Sequence, residues 1–211
     1  MKPDPPARRV FLIDDDQDVR DALSLLLRTC GFAVDTFPSA LAFVERPDRE
    51  VAGCIVVDVR MPGLSGLQLL ERLAAEGDRL PVVVVTGHGD VVACRRAFRG
   101  GAVDFLTKPV DEQALIEAVE AGLDRLEAGL DQQAEAEEAR ALLVRLTPRE
   151  HEVLDMVARG WATKDIARAL DVSPRTVEAH RANLAEKLGT NSVAEMVRLV
   201  LVARSSPAAT S

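Results

Sequence analysis

Five short apolar runs, each followed by a stretch with apolar positions every three or four residues, fill the first 126 positions. Val10 to Ile13 is continuous and ends on Asp14-Asp15-Asp16, the pattern of a strand buried on both faces that delivers acids to its carboxyl end. Val19, Ala22, Leu23, Leu26 and Leu27 trace a helical face that stops at Cys30-Gly31. Phe32 to Phe37 alternates as a second strand, and Ser39 is placed to cap a short helix through Val44. Cys54 to Val57 forms a third strand with Asp58 at its end, after which Met61-Pro62-Gly63 turns the chain. Leu67, Leu69, Leu70 and Leu73 mark the next helix, and Val82 to Val85 a strand ending at Thr86. Val91 to Phe98 reads as a helix closed by Gly100-Gly101, and Ala102 to Leu106 as a fifth strand ending in Thr107-Lys108-Pro109. Asp111 can cap a last helix carrying Leu115, Ile116, Val119, Leu123 and Leu126.

Five strand-helix units in this span predict a doubly wound α/β domain, flavodoxin-like, with a five-stranded parallel sheet over residues 8–126. In the order 2-1-3-4-5 the first and third strands are neighbours at the switch point, where such sheets bind ligands. Residues 127–145 are rich in Ala, Glu and Gln and thin in apolar positions. That composition predicts an exposed linker helix, and the lack of sustained heptads favours a solvated tether over pairing with a second copy.

At Thr147-Pro148-Arg149-Glu150 a new helix opens with a capping box and proline at its first position. Val153, Leu154 and Val157 give it an apolar face, and Gly160 ends it. Thr163 can cap a helix from Lys164 to Leu170; Asp171-Val172-Ser173 is a tight link; Ser173-Pro174 opens a helix to Leu188, before Gly189. Ser192 and Glu195 form a second capping box for a last helix through Val202. Four short helices over residues 146–204, two of them joined by a three-residue turn, predict an all-α helix-turn-helix domain, with 205–211 a disordered tail.

Composition supports two domains in 211 residues: 47% of positions are hydrophobic, although Tyr is absent and Trp occurs once. The net charge of −8 is uneven, because from Thr147 onward nine Lys and Arg face eight Asp and Glu. A near-neutral segment in an acidic chain permits contact with nucleic acid there. Three widely spaced cysteines, Cys30, Cys54 and Cys94, fit a reduced compartment, and a four-residue apolar run after Arg8-Arg9 is too short for a signal peptide. No stretch approaches the ~20 apolar residues of a membrane span. The expectation is a cytoplasmic protein with no membrane partner.

Asp14, Asp15, Asp58, Thr86 and Lys108 all stand where a strand gives way to a loop, so all can face one cleft. A lone acid there is usually a turn or cap residue. An ordered set of acids, hydroxyl and Lys-Pro is another matter. Clustered carboxylates must be protonated or neutralised by a cation, and oxygen-only ligands suit Mg²⁺. Lysine and hydroxyl donors complete what phosphoryl transfer requires. His88, by contrast, reads as polar loop surface.

These motifs carry a resemblance. Residues Phe11 to Leu126 resemble the receiver domain of bacterial two-component response regulators, through Ile13-Asp14-Asp15-Asp16, Asp58 with Met61-Pro62-Gly63, Thr86-Gly87-His88-Gly89-Asp90 and the run from Gly101 to Pro109. Residues Leu146 to Val202 resemble a LuxR-type helix-turn-helix, through Leu146-Thr147-Pro148-Arg149-Glu150 and the run from Ser173 to Asn183. In this order the pair is similar to the FixJ-type transcriptional regulators. The resemblance implies that Asp58 accepts a phosphoryl group from a sensor histidine kinase, with Mg²⁺ on Asp15, Asp58 and the Arg60 carbonyl, and Asp14 supporting through water. Thr86 and Lys108 would bind phosphoryl oxygens, Phe105 would be the switch aromatic, and the Lys108-Pro109 bond would be cis. The protein would catalyse only its own phosphotransfer and autodephosphorylation.

In the second domain, Val177, Leu184 and Leu188 are expected inside, with Arg175, Thr176, Glu178, Ala179, Arg181 and Ala182 on or near the side that meets the major groove of double-stranded DNA. Lys164, Asn183 and Lys187 are candidate phosphate contacts, and Trp161 is either packed or at an interface. So neutral a domain should bind weakly alone, so homodimerisation on phosphorylation is expected, through the fourth helix and fifth strand. Release of a masked second domain is the other route. RNA polymerase is a further partner consistent with such a role. Two other functions fit parts of the sequence: an aspartyl phosphohydrolase, which commonly needs an acid two residues past the nucleophile where Arg60 stands here, and a scaffold that binds DNA regardless of phosphorylation.

Overall fold

A computed structural model describes residues 8–49, 51–87 and 91–205. The chain divides into two compact units, Met1–Ala128 and Gly129–Ser211. The first contains β1 (Arg9–Ile13), α1 (Gln17–Thr29), β2 (Ala33–Phe37), α2 (Ala40–Val44), β3 (Cys54–Asp58), α3 (Gly66–Glu76), β4 (Val82–Thr86), α4 (Val91–Arg99), β5 (Asp104–Thr107) and the start of α5 (Glu112–Val144). All pairings are parallel and the order is β2-β1-β3-β4-β5, as the sequence pattern predicts.

Alternate strand residues serve opposite layers. Phe11, Ile13, Ile55, Val57, Val82 and Val84 pack with α2, α3 and α4, while Val10, Leu12, Val56, Val83 and Val85 pack with α1 and α5. This double burial explains why the three central strands read as unbroken apolar runs.

Asp16, read as the third acid of the strand end, instead caps α1 by accepting the Asp18 and Val19 N–H groups. Most other caps follow the sequence. Ser39 caps α2, and Asp111 accepts the Ala114 N–H at 2.8 Å. Strand β5 begins two residues later than predicted. The Ala102 N–H is used to close α4 on the Ala97 carbonyl at 3.1 Å, with Gly101 at φ +90° making the exit.

The largest departure is α5, one helix of 33 residues that runs on through the stretch read as a tether. Beyond Ala128 it is docked within the second unit. Ala136 and Ala139 are buried, Leu142 and Leu143 pack on that unit's core, Glu135 pairs with Arg198, and the Arg140 Nε donates to the Ala203 carbonyl at 3.0 Å. Small alanines let two helices approach closely, yet they weigh little in a count of apolar positions. Ala139→Glu is therefore expected to destabilise the second unit by about 2 kcal/mol, through a buried unpaired charge, where a solvated tether would show no change. Trp161, the single tryptophan, lies in this unit, so denaturant unfolding followed by its fluorescence provides the measurement.

The rest of the second unit is α6 (Pro148–Ala158), α7 (Thr163–Ala169), α8 (Pro174–Leu188) and α9 (Val193–Ser205) around Val153, Leu154, Val157, Ile166, Val177, Leu184 and Leu188. The Thr147–Glu150 capping box forms in full. Two predicted caps do not. Ala162 takes the cap position of α7 with no side-chain bond, so Thr163 is the helix's first residue. Ser192 accepts the Glu195 N–H at 3.4 Å, but its own N–H goes to Thr190 Oγ1 while Glu195 turns to Arg198, leaving half a box. The α7–α8 turn holds Asp171 at φ 52°, closed by the Val172 N–H on the Ala167 carbonyl. His88 and, from residue 206 on, the predicted tail lie outside the described residues.

Candidate functional site: an acidic crevice and a recognition helix

Strand register brings the predicted acids level. Ile13 pairs with Val57, so the next residues, Asp14 and Asp58, meet side by side at the carboxyl ends of β1 and β3. Thr86 pairs with Thr107 across β4 and β5, and the Lys108 N–H donates to the Thr86 carbonyl at 2.7 Å. The Lys108-Pro109 bond is cis.

Lys108 closes the crevice. Its ammonium lies 2.6 Å from Asp14 Oδ2 and 2.7 Å from Asp58 Oδ1. Both carboxylates are buried, at 2% and 6% exposure. Asp58 Oδ2 accepts the Arg60 N–H, Asp14 Oδ1 accepts the Asp16 N–H at 3.0 Å, and Arg20 donates to the Asp14 carbonyl at 2.6 Å. Burial raises the Asp58 carboxyl above its ordinary value and the Asp14 charge adds to this, while Lys108 and the Arg60 N–H pull it partly back. Burial alone would lower the Lys108 ammonium; its bonds to the two carboxylates outweigh that and raise it.

Of the predicted set, Asp14, Asp58 and Lys108 are joined by direct bonds, and Thr86 is buried one strand away. Asp15 is exposed beside Asp14, and Phe105 is half-buried against the α2–α4 layer. Arg20 is a neighbour that the sequence reading missed; its position one helical turn beyond the acids was the available signal.

The donor set suits a hard cation. It offers only oxygens, and the two buried acids repel one another unless a positive group lies between them. No group of three or more His, Cys, Asp or Glu among the described residues forms a metal cage. Mg²⁺ does not require one, since it binds through one or two carboxylates and keeps several waters.

In the second unit, Val177, Leu184 and Leu188 of α8 are buried as expected. Arg175, Glu178, Ala179, Ala182 and Asn183 are exposed, as is Lys164 on α7, and Arg181 is half-buried. Thr176 is half-buried, with its hydroxyl 2.8 Å from Ser173 Oγ at the helix start. Trp161 is exposed. Lys187, a candidate phosphate contact, already has a partner inside the domain. Its ammonium sits 2.6 Å from Oε2 of Glu150, a buried carboxylate, instead of standing free for phosphate. A pairing 37 residues apart has no periodic trace in the sequence.

The Lys187 hydrogen bond, followed by the Thr147 N–H, holds the Glu150 carboxyl at about 2 against an ordinary 4.5. A depressed folded-state value stabilises the fold fully above pH 4.5, and that contribution is lost as pH falls toward 2. Acid unfolding read by Trp161 should accordingly lose its dependence on pH in that window when Glu150→Gln is introduced.

A crevice of paired acids and lysine at the switch point of a five-stranded parallel sheet, followed by a helix-turn-helix, defines a phosphoryl-receiving module coupled to a DNA-binding one. Family models agree: residues 10–120 match the response regulator receiver domain, and residues 144–200 match the bacterial regulatory proteins of the luxR family. The transcriptional regulatory protein FixJ of Azorhizobium caulinodans is 45% identical, covering 97% of each chain. Among solved structures, the response regulator StyR is 42% identical with a TM-score of 0.82, covering 92% of this chain and 98% of its own. Full-length FixJ from B. japonicum is 40% identical with a TM-score of 0.59, covering 95% and 98%. This chain belongs to the FixJ-type transcriptional response regulators, with a receiver domain and a LuxR-type DNA-binding domain. It is not a metabolic enzyme. No helix among the described residues is long and apolar enough to cross a membrane.

Proposed function

We propose that Asp58 is the phosphoryl acceptor and that its modification controls dimerisation and DNA binding. An Asp58 carboxylate oxygen attacks the phosphorus of a phosphohistidine on a sensor histidine kinase; the new P–O bond forms as the P–N bond breaks, and imidazole leaves. The observation that carries this reading is the bond of Lys108 to both buried acids, which places a cation where phosphoryl oxygens would arrive. Asp14, Asp15, Asp58 and the Arg60 carbonyl would hold Mg²⁺, which when bound supplies charge neutralisation at the phosphoryl oxygens. Thr86 and Lys108 then bind those oxygens, and Phe105 reports the rearrangement to the surface of β5. Water attack on the acyl phosphate would reset the protein.

The residue division is 8–126 for the receiver and 146–204 for the DNA-binding domain, with 127–145 the helical connection, whose part from Gly129 on packs with the latter. Val91, Val92 and Phe98 of α4 are exposed beside Arg95 and Arg99, which supports a second copy as the partner of this face. Arg175, Thr176, Glu178, Ala179, Arg181 and Ala182 would face the groove, with Lys164 and Asn183 near phosphates and RNA polymerase downstream. Cys30, Cys54 and Cys94 are free thiols, which supports a reducing, cytoplasmic location.

The test is incubation with acetyl phosphate, with and without Mg²⁺, followed by intact mass and sedimentation. One phosphoryl group per chain, dependent on Mg²⁺ and accompanied by a shift toward dimer, is expected. A phosphorylated chain that stays monomeric would exclude control by dimerisation.

A further inference from the structure

The first turn of α6 holds both helices of the helix-turn-helix through two consecutive residues. Arg149 Nη2 donates to the Leu170 carbonyl at 2.6 Å, fixing the end of α7 just before the turn. Glu150 Oε2 receives the Thr147 N–H at 2.8 Å and the Lys187 ammonium at 2.6 Å, fixing the last turn of α8. Thr147 in return accepts the Glu150 N–H at 3.3 Å, so the carboxylate is itself locked in place. The apolar contacts of Val177, Leu184 and Leu188 decide which face of α8 is inward, but such contacts are non-directional and tolerate small slides and rotations. A charge-assisted bond to an immobile carboxylate does not.

We infer that Glu150 is a positioning residue for DNA recognition: its bond to Lys187 sets the rotation and depth at which α8 is presented to the groove. The inference rests on the proposed role of α8 and reassigns Lys187 from phosphate contact to positioning partner. The side chains that read DNA are then those on the exposed face, Arg175, Glu178, Ala179 and Ala182, and they meet base edges only while the far end of the helix is held.

The two roles for Lys187 separate in a salt series. The full chain, loaded with beryllofluoride and Mg²⁺, is first used to select a duplex from a randomised pool. Affinity for that duplex is then measured across salt for wild type, Glu150→Gln, Lys187→Gln, the double variant and Lys187→Arg, below the unfolding transition reported by Trp161. Positioning predicts that each Gln variant loses about tenfold in affinity, that the double variant loses no more, that Lys187→Arg recovers most of it, and that the slope of log affinity against log salt is unchanged. A slope reduced by about 0.9 in Lys187→Gln, the signature of one lost phosphate contact, would overturn the inference. So would full affinity in the folded Gln variants, which would leave the pair a purely structural role. If Glu150→Gln does not fold, Lys187→Gln and Lys187→Arg decide the matter. Selection of no duplex by wild type would overturn the DNA-binding reading, and this inference with it.

Discussion

Asp58→Asn is expected to reduce phosphoryl incorporation from acetyl phosphate to background, a loss of roughly a hundredfold or more, as when a covalent nucleophile is removed. The amide has the carboxylate's shape and can still accept the Arg60 N–H, so the loss is of chemistry and not of fold. The same variant should be more stable than wild type at pH 7. Asp58 is raised above its ordinary 3.8 by burial and by Asp14, so the folded protein favours its protonated form. The stability that follows from a raised carboxyl is full at pH below the ordinary value and lost as pH rises through the folded one. The advantage of asparagine should therefore be clear at neutral pH and shrink as pH falls toward 3.8. Equal labelling of both proteins would remove Asp58 from the acceptor role.

Gly66→Ala should damage the crevice from behind. An added methyl would stand 2.2 Å from the Asp58 carbonyl oxygen and 3.0 Å from Val57 Cγ2, far inside contact distance. Gly66 opens α3, held there by the Ser65–Gln68 capping box and by its own N–H on the Val59 carbonyl at 3.2 Å. Either α3 moves off the sheet or β3 bends, and Asp58 is the residue that bends with it. Overpacking of this kind costs about 3 kcal/mol, and phosphoryl incorporation should fall with it even where the chain remains folded. Gly129, inside α5 with nothing within 4 Å of an added methyl, is the control. Gly129→Ala should raise stability by about 0.5–1 kcal/mol through helix propensity alone, and leave labelling unchanged.

The sheet and its crevice were legible in the sequence because their signals are local. Val10 to Ile13, Cys54 to Val57 and Val82 to Val85 are buried on both faces and therefore unbroken, and Asp14, Asp58 and Thr86 follow their runs directly. Strand order then places Asp14 beside Asp58 with no further information. What is not legible there depends on distant partners. The docking of α5 rests on alanines, whose worth lies in what they allow to approach, and Lys187 looks like any exposed cation until Glu150 is placed against it. Asp16 reads as one more acid of its triplet, and the task of its carboxylate as a cap shows only once α1 begins one residue later.

Control of DNA binding by one carboxylate is tested most directly by titrating a selected duplex with wild type and Asp58→Asn, each with and without beryllofluoride and Mg²⁺. Affinity should rise at least about tenfold on loading in wild type alone, the scale of an ordinary coupling free energy between two sites. Identical curves for loaded and unloaded wild type, with beryllofluoride shown to be bound, would contradict it.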